Sequence, residues 1–156
     1  QSHSIAVTVV IGGDGDGDGD GDGDGDGAGD GNGSPSGGCA VGHSVGLACD
    51  TRLDQGEPVP YFGHPAMTNT VPARLALKQD CELVPVRVER LGGARYRVTM
   101  GAPVRPRDAT VPQAAQALDM STQLNGLFEE WIRETPGEWM CLARRFPKEL
   151  DKATRG

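Results

Sequence analysis

Residues 45–91 read VGLACDTRLDQGEPVPYFGHPAMTNTVPARLALKQDCELVPVRVERL, and this stretch decides the fold. A short apolar run ends in an acid, Asp50, and a polar loop leads to the tight aromatic-glycine segment Tyr61-Phe62-Gly63. A helix start and a β-rich run follow, an order that is typical of an α/β protein. Sites in open α/β sheets form at the carboxyl ends of strands. We therefore predict a partial mixed sheet with packed helices, and a site where a strand gives way to a loop, as it does at Asp50.

The elements on either side of the aromatic segment have clear local signals. The apolar run Val45–Cys49 predicts a buried strand. A helix is predicted from about Thr68, with a hydroxyl or amide cap and with Pro72 in its first turn. The apolar face of this helix is predicted to comprise Val71, Ala73, Leu75, Ala76 and Leu77.

A β-hairpin is predicted over residues 83–100, with Gly92-Gly93 at its turn. Pro85 has no N–H to donate, so it marks an edge, a bulge or a gap in pairing. The first strand places Val84, Val86 and Val88 on one face. Alternation in the second strand predicts that Tyr96, Val98 and Met100 point inward and that Arg95, Arg97 and Thr99 point outward.

Residues 112–134 form the longest predicted helix, which Pro136-Gly137 ends. We expect the segment from Trp139 to Phe146 to dock back on the sheet. The buried stripe of the helix is predicted to comprise Ala114, Ala117, Leu118, Ser121, Leu124, Leu127, Phe128, Trp131 and Ile132.

The net charge of −7 comes from one end of the chain. Residues 1–42 hold eight Asp and no Lys or Arg, so the remaining residues carry +1. Residues 12–38 repeat Gly and Asp with little else, and glycine entropy and charge repulsion predict disorder there. The repeat resembles the opening of a calcium-binding EF-hand loop but lacks the acid at its twelfth position, so we expect loose cation binding at most.

These observations predict three segments. Residues 1–41 form a low-complexity, disordered acidic segment, residues 42–150 a folded domain, and residues 151–156 a disordered tail. The first residue is Gln1, which suggests a fragment edge, and the apolar run Ile5–Ile11 is far shorter than the ~20 residues that span a bilayer. Any membrane anchor is therefore expected upstream of this sequence.

The four cysteines are widely scattered, at Cys39, Cys49, Cys81 and Cys141. They form no C-x-x-C pair, and no histidine lies at metal-ligand spacing from them, so we expect reduced thiols and no metal site. Tyr96 is the one aromatic residue among the arginines around the hairpin, so these arginines lack the repeated aromatic interleaving that would indicate nucleic acid as a partner.

Five segments, matched in order and spacing, resemble the C-terminal portion of the bacterial lipid A biosynthesis acyltransferases, the lauroyl/myristoyl acyltransferase family. The resemblance covers about residues 42–150. The segments are Leu47-Ala48-Cys49-Asp50, Val59-Pro60-Tyr61-Phe62-Gly63-His64-Pro65-Ala66-Met67-Thr68, Ala73-Arg74-Leu75-Ala76-Leu77, Leu83-Val84-Pro85-Val86, and Pro136-Gly137-Glu138-Trp139 with Arg144-Arg145-Phe146.

This resemblance implies transfer of a fatty acyl group from an acyl carrier protein thioester, or from acyl-CoA, to a hydroxyl of a lipid A precursor. It implies the cytoplasmic face of the inner membrane, a membrane-surface contact, and no cofactor or metal. The family takes the hydroxyl proton with a His-x-x-x-x-Asp/Glu motif. Five residues after His3, His43 and His64 stand Thr8, Ala48 and Asn69, so we expect the isolated chain to be inactive.

The remaining site candidates also come from the resemblance. It implies that Asp50 faces the site, although a strand-end turn acid is the alternative. Arg52 stands where the family often has another polar or acidic residue. Phe62 and Gly63 resemble the segment that lines the substrate channel, with core packing equally open for Phe62. Arg144 and Arg145 would contact lipid phosphate or form ion pairs within the fold.

Two other interpretations of the chain stay open. The first is a non-catalytic, rearranged fragment that carries a weakly cation-binding disordered tract. The second is a relative that acylates glycerolipids instead of lipid A. For His64 we favour an exposed loop position, and for Arg74 we favour solvent exposure.

Overall fold

The structure is a computed structural model that describes residues 6–12, 44–49, 56–139 and 146. Within these residues the chain forms six strands, two α-helices and a 3-10 turn. The elements are β1 (Ala6–Gly12), β2 (Val45–Ala48), β3 (Glu57–Tyr61), β4 (His64–Thr68), α1 (Val71–Gln79), β5 (Glu82–Gly92), β6 (Arg95–Met100), α2 (Gln113–Glu134) and a 3-10 turn (Pro136–Glu138).

Two antiparallel sheets form in the described part of the chain. The larger sheet has the strand order β2-β1-β5-β6, and β3 and β4 form a separate two-stranded sheet. Helix α1 packs beside α2, and apolar residues from both helices, β3, β4 and β5 share one core. The α/β class and the packed helices are therefore confirmed.

Strand β1 is an unexpected member of the larger sheet. The sequence predicts that folded structure begins near Gly42, yet β1 pairs with β2 at Val9↔Leu47 and with β5 at Thr8↔Val86. Its sequence is rich in β-branched residues, which suit a strand with neighbours on both sides. The rest of the predicted segment 1–41, like the tail 151–156, lies outside the described residues, so its predicted disorder stays a prediction.

Pro85 interrupts the pairing of β5 with β6, as one of the predicted alternatives requires. The ladder ends at Val86↔Met100, after which the N–H of Gly101 donates to the Pro85 carbonyl at 2.8 Å. A Cβ on Gly101 would lie 2.9 Å from the Pro85 Cγ, closer than such atoms pack. Glycine is therefore required at this crossing. The chain rejoins β5 where the N–H of Val104 donates to the Leu83 carbonyl at 2.8 Å.

The hairpin over β5 and β6 is confirmed, but the predicted inward face of β6 is wrong. Tyr96, Val98 and Met100 are 59 %, 62 % and 63 % exposed. Their register, with Val98 opposite Val88, puts them on the face of the sheet opposite to Arg87. Arg87 contacts Trp131 and Glu134 of α2, so the helices cover the other face. Alternation fixed which residues share a face but not which face the helices cover.

The start of α1 also differs in detail from the prediction. Pro72 lies in the first turn as predicted. Thr70 precedes the helix without a side-chain cap bond, and its hydroxyl donates to Glu57 Oε1 at 3.1 Å instead. The amide oxygen of Asn69 accepts the Val71 N–H at 3.0 Å. Val71 is 39 % exposed rather than part of the apolar face, because the helix buries Pro72, Ala73 and Ala76.

Helix α2 matches the predicted span and most of the predicted stripe. Ala114 is exposed, contrary to prediction, because it lies in the first turn before the helix reaches the core. Two buried residues were not predicted, Met120 and Asn125. The residues that α2 buries are Ala117, Met120, Ser121, Leu124, Asn125, Phe128 and Ile132.

Asn125 joins α2 to the β3–β4 hairpin. Its side chain is 1 % exposed, and Nδ2 donates to the Pro60 carbonyl at 3.0 Å and to the Thr68 hydroxyl oxygen at 3.2 Å. A buried amide without partners is costly, so this residue fixes where the helix meets the hairpin.

We predict that Asn125→Ala lowers the free energy of unfolding by about 1–3 kcal/mol, because it deletes buried hydrogen bonds between two elements. Urea unfolding followed by circular dichroism measures the change. Gln113→Ala, an exposed position in the first turn of α2, is the matched control and should have little effect. Equal losses for the two variants would contradict a structural role for Asn125.

Candidate functional site

The predicted substrate-lining residues Phe62 and Gly63 form the turn of the β3–β4 hairpin. Both have positive backbone φ angles, 49° and 76°. Two-residue hairpin turns with positive φ at both positions match the twist of the flanking strands. Gly63 adopts this conformation freely, but a bulky side chain such as Phe62 does so only under strain. The surrounding structure must therefore hold Phe62 in place.

A polar stripe along α2 holds the turn. The N–H of Phe62 donates to Glu129 Oε1 at 2.6 Å. Arg133 donates to the other oxygen of Glu129 at 2.7 Å, and its guanidinium carbon lies 5.2 Å from the centre of the Phe62 ring. Asn125, Glu129 and Arg133 are spaced four residues apart, which aligns them on one side of a helix. We call these three residues the α2 polar stripe.

The turn packs into a group of four aromatic rings, which we call the aromatic cluster: Tyr61, Phe62, Trp139 and Phe146. The Tyr61 ring lies at the centre and is fully buried. Its centroid is 4.8 Å from that of Phe62, 6.2 Å from that of Trp139 and 6.0 Å from that of Phe146, on which it stacks. Phe62 and Trp139 are 5.9 Å apart. The segment from Trp139 to Phe146 was predicted to dock back on the sheet, and its two described residues contact the β3–β4 sheet, while residues 140–145 lie outside the described residues.

The chemistry of this arrangement is that of an apolar binding surface. Phe62 is half-buried, and Gly63 is exposed beside it. Glu129 is engaged by the Phe62 N–H and by Arg133, so it positions the turn rather than offering an unpaired base. Aromatic rings bury large apolar areas and suit an alkyl chain.

The other predicted site residues are Asp50, Arg52, Arg144 and Arg145, and all four lie outside the described residues. Cys49, which precedes Asp50, is buried in the same core as Tyr61. Its thiol donates to the Leu47 carbonyl at 3.4 Å.

Two residues with open interpretations are exposed, as favoured. His64 begins β4 at the surface, with its ring centroid 6.5 Å from that of Phe146. Arg74 is exposed on α1 and forms an ion pair with Glu57.

The basic residues predicted to cluster around the hairpin separate into two groups. Arg87 is buried and paired with Glu134 at 2.5 Å and with Glu89 at 3.3 Å. Arg105 and Arg107 form ion pairs with Glu82 and Asp119, at 2.7 Å and 3.1 Å. Arg90, Arg95 and Arg97 remain on the β5–β6 hairpin.

A cavity of about 450 Å³ lies away from the aromatic cluster, between the end of α1 and the connector to α2. Asp80, Glu82 and Arg105 are among the residues that line it, and Arg105 and Glu82 form an ion pair with each other. None of the predicted site residues lines it. The candidate site is therefore the aromatic cluster, where the predicted Phe62 and Gly63 lie.

The connector beside the cavity contains a loop cap. The hydroxyl of Thr110, and then its backbone N–H, hydrogen-bond to Asp108 and lower the pKa of that carboxyl below its ordinary value. The pair stands just before α2 on the surface, so its role is local to the loop.

The described residues contain neither a candidate metal site nor a candidate membrane-spanning helix. No group of three or more His, Cys, Asp or Glu that could hold a metal occurs in the part of the chain that the structure describes. Among the same residues, neither helix combines the length and the apolar character that crossing a bilayer requires.

Sequence reasoning missed the α2 polar stripe. The prediction for α2 rested on its apolar residues. The hydrogen-bond partners of Asn125 and Glu129 are 65 and 67 residues away in the sequence. The sequence does contain one signal for this stripe. Three polar side chains are spaced four residues apart along α2, and one of them, Asn125, lies within the buried face of the helix.

Comparison with known proteins gives one match. The model of the family described as bacterial lipid A biosynthesis acyltransferase matches residues 40–148, more than two thirds of the chain. No curated protein and no solved structure matches the chain. The matched residues include the whole aromatic cluster and the α2 polar stripe.

We predict that Glu129→Ala lowers the free energy of unfolding by about 1–3 kcal/mol, because the strained turn loses the acceptor of its Phe62 N–H. Glu129→Gln keeps an acceptor oxygen and should lose less. Urea unfolding measures stability, and the near-ultraviolet circular dichroism of Trp139 reports the turn locally. The control is Glu130→Ala, the exposed neighbouring carboxylate. Equal effects at positions 129 and 130 would refute the positioning role.

Proposed function

The chain belongs to the bacterial lipid A biosynthesis acyltransferase family, and from that premise we propose that it forms the acyl-binding side of such an enzyme. The reaction class is acyl transfer in lipid A biosynthesis. The donor that we propose is a fatty acyl thioester of acyl carrier protein, with acyl-CoA as the alternative. The acceptor is a hydroxyl of a lipid A precursor.

The observation that carries this proposal is the aromatic cluster inside the family-matched region. Acyl transfer requires the alkyl chain of the donor to be held while the acceptor oxygen attacks the thioester carbonyl carbon and the thiolate leaves. The Phe62 ring is half-buried, beside Trp139 and above the fully buried Tyr61. Such a surface accepts an alkyl chain without requiring a polar partner.

Stiffness of the turn supports the same role. A channel wall discriminates among chains only if it keeps its shape, and Glu129 fixes the Phe62 backbone by a 2.6 Å hydrogen bond. Gly63 leaves the approach to the ring open, since a Cβ there would contact nothing within 4 Å. Its φ of 76° still disfavours any larger residue.

For the polar end of the substrates we propose Asp50 and Arg52 on the acceptor side and Arg144 and Arg145 for lipid phosphate. Cys49 supports this placement of Asp50, because it lies in the same core as Tyr61 and Asp50 directly follows it. Phe146 supports the placement of the arginines, because it directly follows Arg145 and stacks on Tyr61. Guanidinium groups bind phosphate through two hydrogen bonds at once.

The proton-accepting base is not among these residues. None of the three histidines is followed five residues later by Asp or Glu, and His64 is exposed at the edge of the cluster. We therefore propose that this chain binds substrate but does not transfer the acyl group alone. We further propose that the enzyme to which it belongs works at the cytoplasmic face of the inner membrane.

We predict that Phe62→Ala weakens the binding of dodecanoyl and tetradecanoyl acyl-carrier thioesters about tenfold, since an aromatic contact surface is lost. Quenching of tryptophan fluorescence measures binding, because Trp139 is 5.9 Å from Phe62. Tyr96→Ala, which removes an exposed ring on β6, is the matched control. Identical affinities for the two variants, or no binding by the parent chain, would rule out the proposed acyl-binding surface.

The second expectation concerns turnover. The chain alone, mixed with acyl-carrier thioester and lipid A precursor, should release no carrier thiol above background, because it has no oriented imidazole to remove the hydroxyl proton. Mass spectrometry of the acceptor and a free-thiol assay report the two products. Any transfer by the parent chain would contradict this expectation. Transfer that is lost in His64→Ala would then identify His64 as the base, and transfer that survives this change would identify another group.

A further inference from the structure

Strand β6 is the edge of the larger sheet and is exposed along its whole length. It pairs with β5 on one side, and no strand in the described part of the chain pairs with its other side. All 6 residues of β6 are exposed, so the helices that cover the Arg87 side of β5 do not extend over β6. An uncovered edge strand presents unpaired N–H and C=O groups to an extended segment. The candidate contact surface is this edge and not the sheet face at β5, where Val86 is already buried.

The last hydrogen bond of the hairpin identifies the backbone groups of β6 that point to the open edge. The N–H of Gly101 donates to the Pro85 carbonyl at 2.8 Å, which makes Met100↔Val86 a non-hydrogen-bonded pair of the antiparallel ladder. Every second residue of β6 shares this geometry, so its N–H and C=O groups point away from β5. The residues of β6 with outward backbone groups are therefore Tyr96, Val98 and Met100.

The side chains of β6 divide into two sets, because successive side chains of a strand point to opposite faces. Tyr96, Val98 and Met100 form an apolar set on one face, and each is more than half exposed. Arg95 and Arg97 lie on the other face. A segment that pairs with this edge therefore meets apolar groups on one of its faces and guanidinium groups on the other.

The charge on the second face is not neutralised within the fold. Arg95 and Arg97 are exposed and form no ion pair within the described residues. Glu89 lies across from Arg97 on β5, but its carboxylate is 3.3 Å from the guanidinium of Arg87. Opposite charges that face each other across two strands stabilise the pairing. Acidic side chains on an added strand would therefore find partners here.

The two faces together define the segment that fits. We propose that β6 accepts an extended segment of a partner protein as a further antiparallel strand, and that apolar residues alternate with acidic residues in this segment. Its apolar residues exchange backbone hydrogen bonds with Tyr96, Val98 and Met100, and its acids lie beside Arg95 and Arg97. Strand addition takes affinity from the main chain and specificity from alternate side chains. This proposal concerns a protein partner and does not rest on the acyl-transfer function.

Two other occupants fit the edge less well. An antiparallel pair of β6 strands from two copies of the chain would gather the arginines of both strands on one face, with no acid on either strand. Like charges across strands are destabilising. The Gly-Asp repeat of residues 12–38 would match one face only: its two-residue period puts the aspartates together, but its glycines bring no apolar side chain to the other face and lose much entropy on ordering.

Binding of short peptides to the full chain tests the proposal. The probe is a capped, fluorescently labelled peptide of about seven residues in which valine alternates with aspartate. Its fluorescence anisotropy should rise as the chain is added. An isomer that groups the valines and the aspartates into blocks, and a peptide with lysine in place of aspartate, should each bind about tenfold more weakly.

Backbone methylation distinguishes strand addition from contact between side chains alone. In the proposed register, the valine N–H groups of the peptide face β6 and the aspartate N–H groups face solvent. Methylation of the valine nitrogens should abolish binding, whereas methylation of the aspartate nitrogens should change the affinity by no more than about twofold. Equal effects of the two modifications would contradict the proposed pairing.

Variants of the chain test the other side of the contact. Val98→Pro removes an N–H that β5 does not use, so we expect a folded chain that no longer binds the peptide. Arg97→Gln should weaken binding of the aspartate peptide severalfold but not that of a peptide with threonine in place of aspartate. Arg105→Gln makes the same charge change at the ion pair with Glu82 and is the control. Circular dichroism reports folding, and the methylated peptides carry the test if Val98→Pro does not fold.

Amide hydrogen exchange identifies the occupant of the edge. The peptide should protect the amides of Tyr96, Val98 and Met100, while those of Arg97 and Thr99, which pair with β5, should change little. Three results would overturn the proposal. The first is no peptide binding. The second is protection of the three amides in the free chain at every concentration, which would assign the edge to residues 12–38. The third is protection that grows with chain concentration, which would assign it to a second copy.

Discussion

One helix face fixes the candidate site: the α2 polar stripe pressed against the β3–β4 hairpin. Asn125 holds the hairpin strands through Pro60 and Thr68, and Glu129 holds the turn through the Phe62 N–H. Each contact depends on the helix being continuous, because a one-residue slip would rotate all three polar side chains away. The aromatic cluster then forms around a turn whose backbone would otherwise relax. Local strain at Phe62 is thus stabilised by long-range contacts.

The candidate site has groups that suit substrate binding but no group placed to act as a base. The cluster supplies apolar surface. The nearby Glu129 carboxylate accepts hydrogen bonds from the Arg133 guanidinium and from the Phe62 N–H of the turn. A histidine in such a place would need an orienting acid to act as a base, and His64 stands exposed at the first position of β4. The resemblance implies a base from a His-x-x-x-x-Asp/Glu motif, which none of the three histidines of this sequence begins. What we propose for this chain is therefore the binding surface, with the proton transfer proposed to lie with a group outside it.

Local signals predicted much of the fold, and non-local choices account for the differences. Gly92-Gly93 and Pro136-Gly137 mark turns by chemistry confined to a few residues, and both were readable from sequence. The inward or outward direction of Tyr96 was not, because it depends on which sheet face the helices cover. Strand β1 was discounted beside a Gly-Asp repeat, although its partners lie many residues away in β2 and β5. At the site, Phe62 and Gly63 were found by resemblance. Asn125 and Glu129 were missed because their partners are distant in sequence.

The crossing of Gly101 over Pro85 makes two positions behave as one. Proline removes a donor from β5, and its ring lies under the departing strand, where a Cβ on residue 101 would come within 2.9 Å of the Pro85 Cγ. A larger residue at position 101 becomes tolerable only if the proline ring at position 85 is removed. Any other residue at position 85 would have a backbone N–H that needs an acceptor on β6, so the ladder would have to continue. Substitutions at these two sites should accordingly be inherited together among relatives, with the proline acting as the signal that ends the ladder.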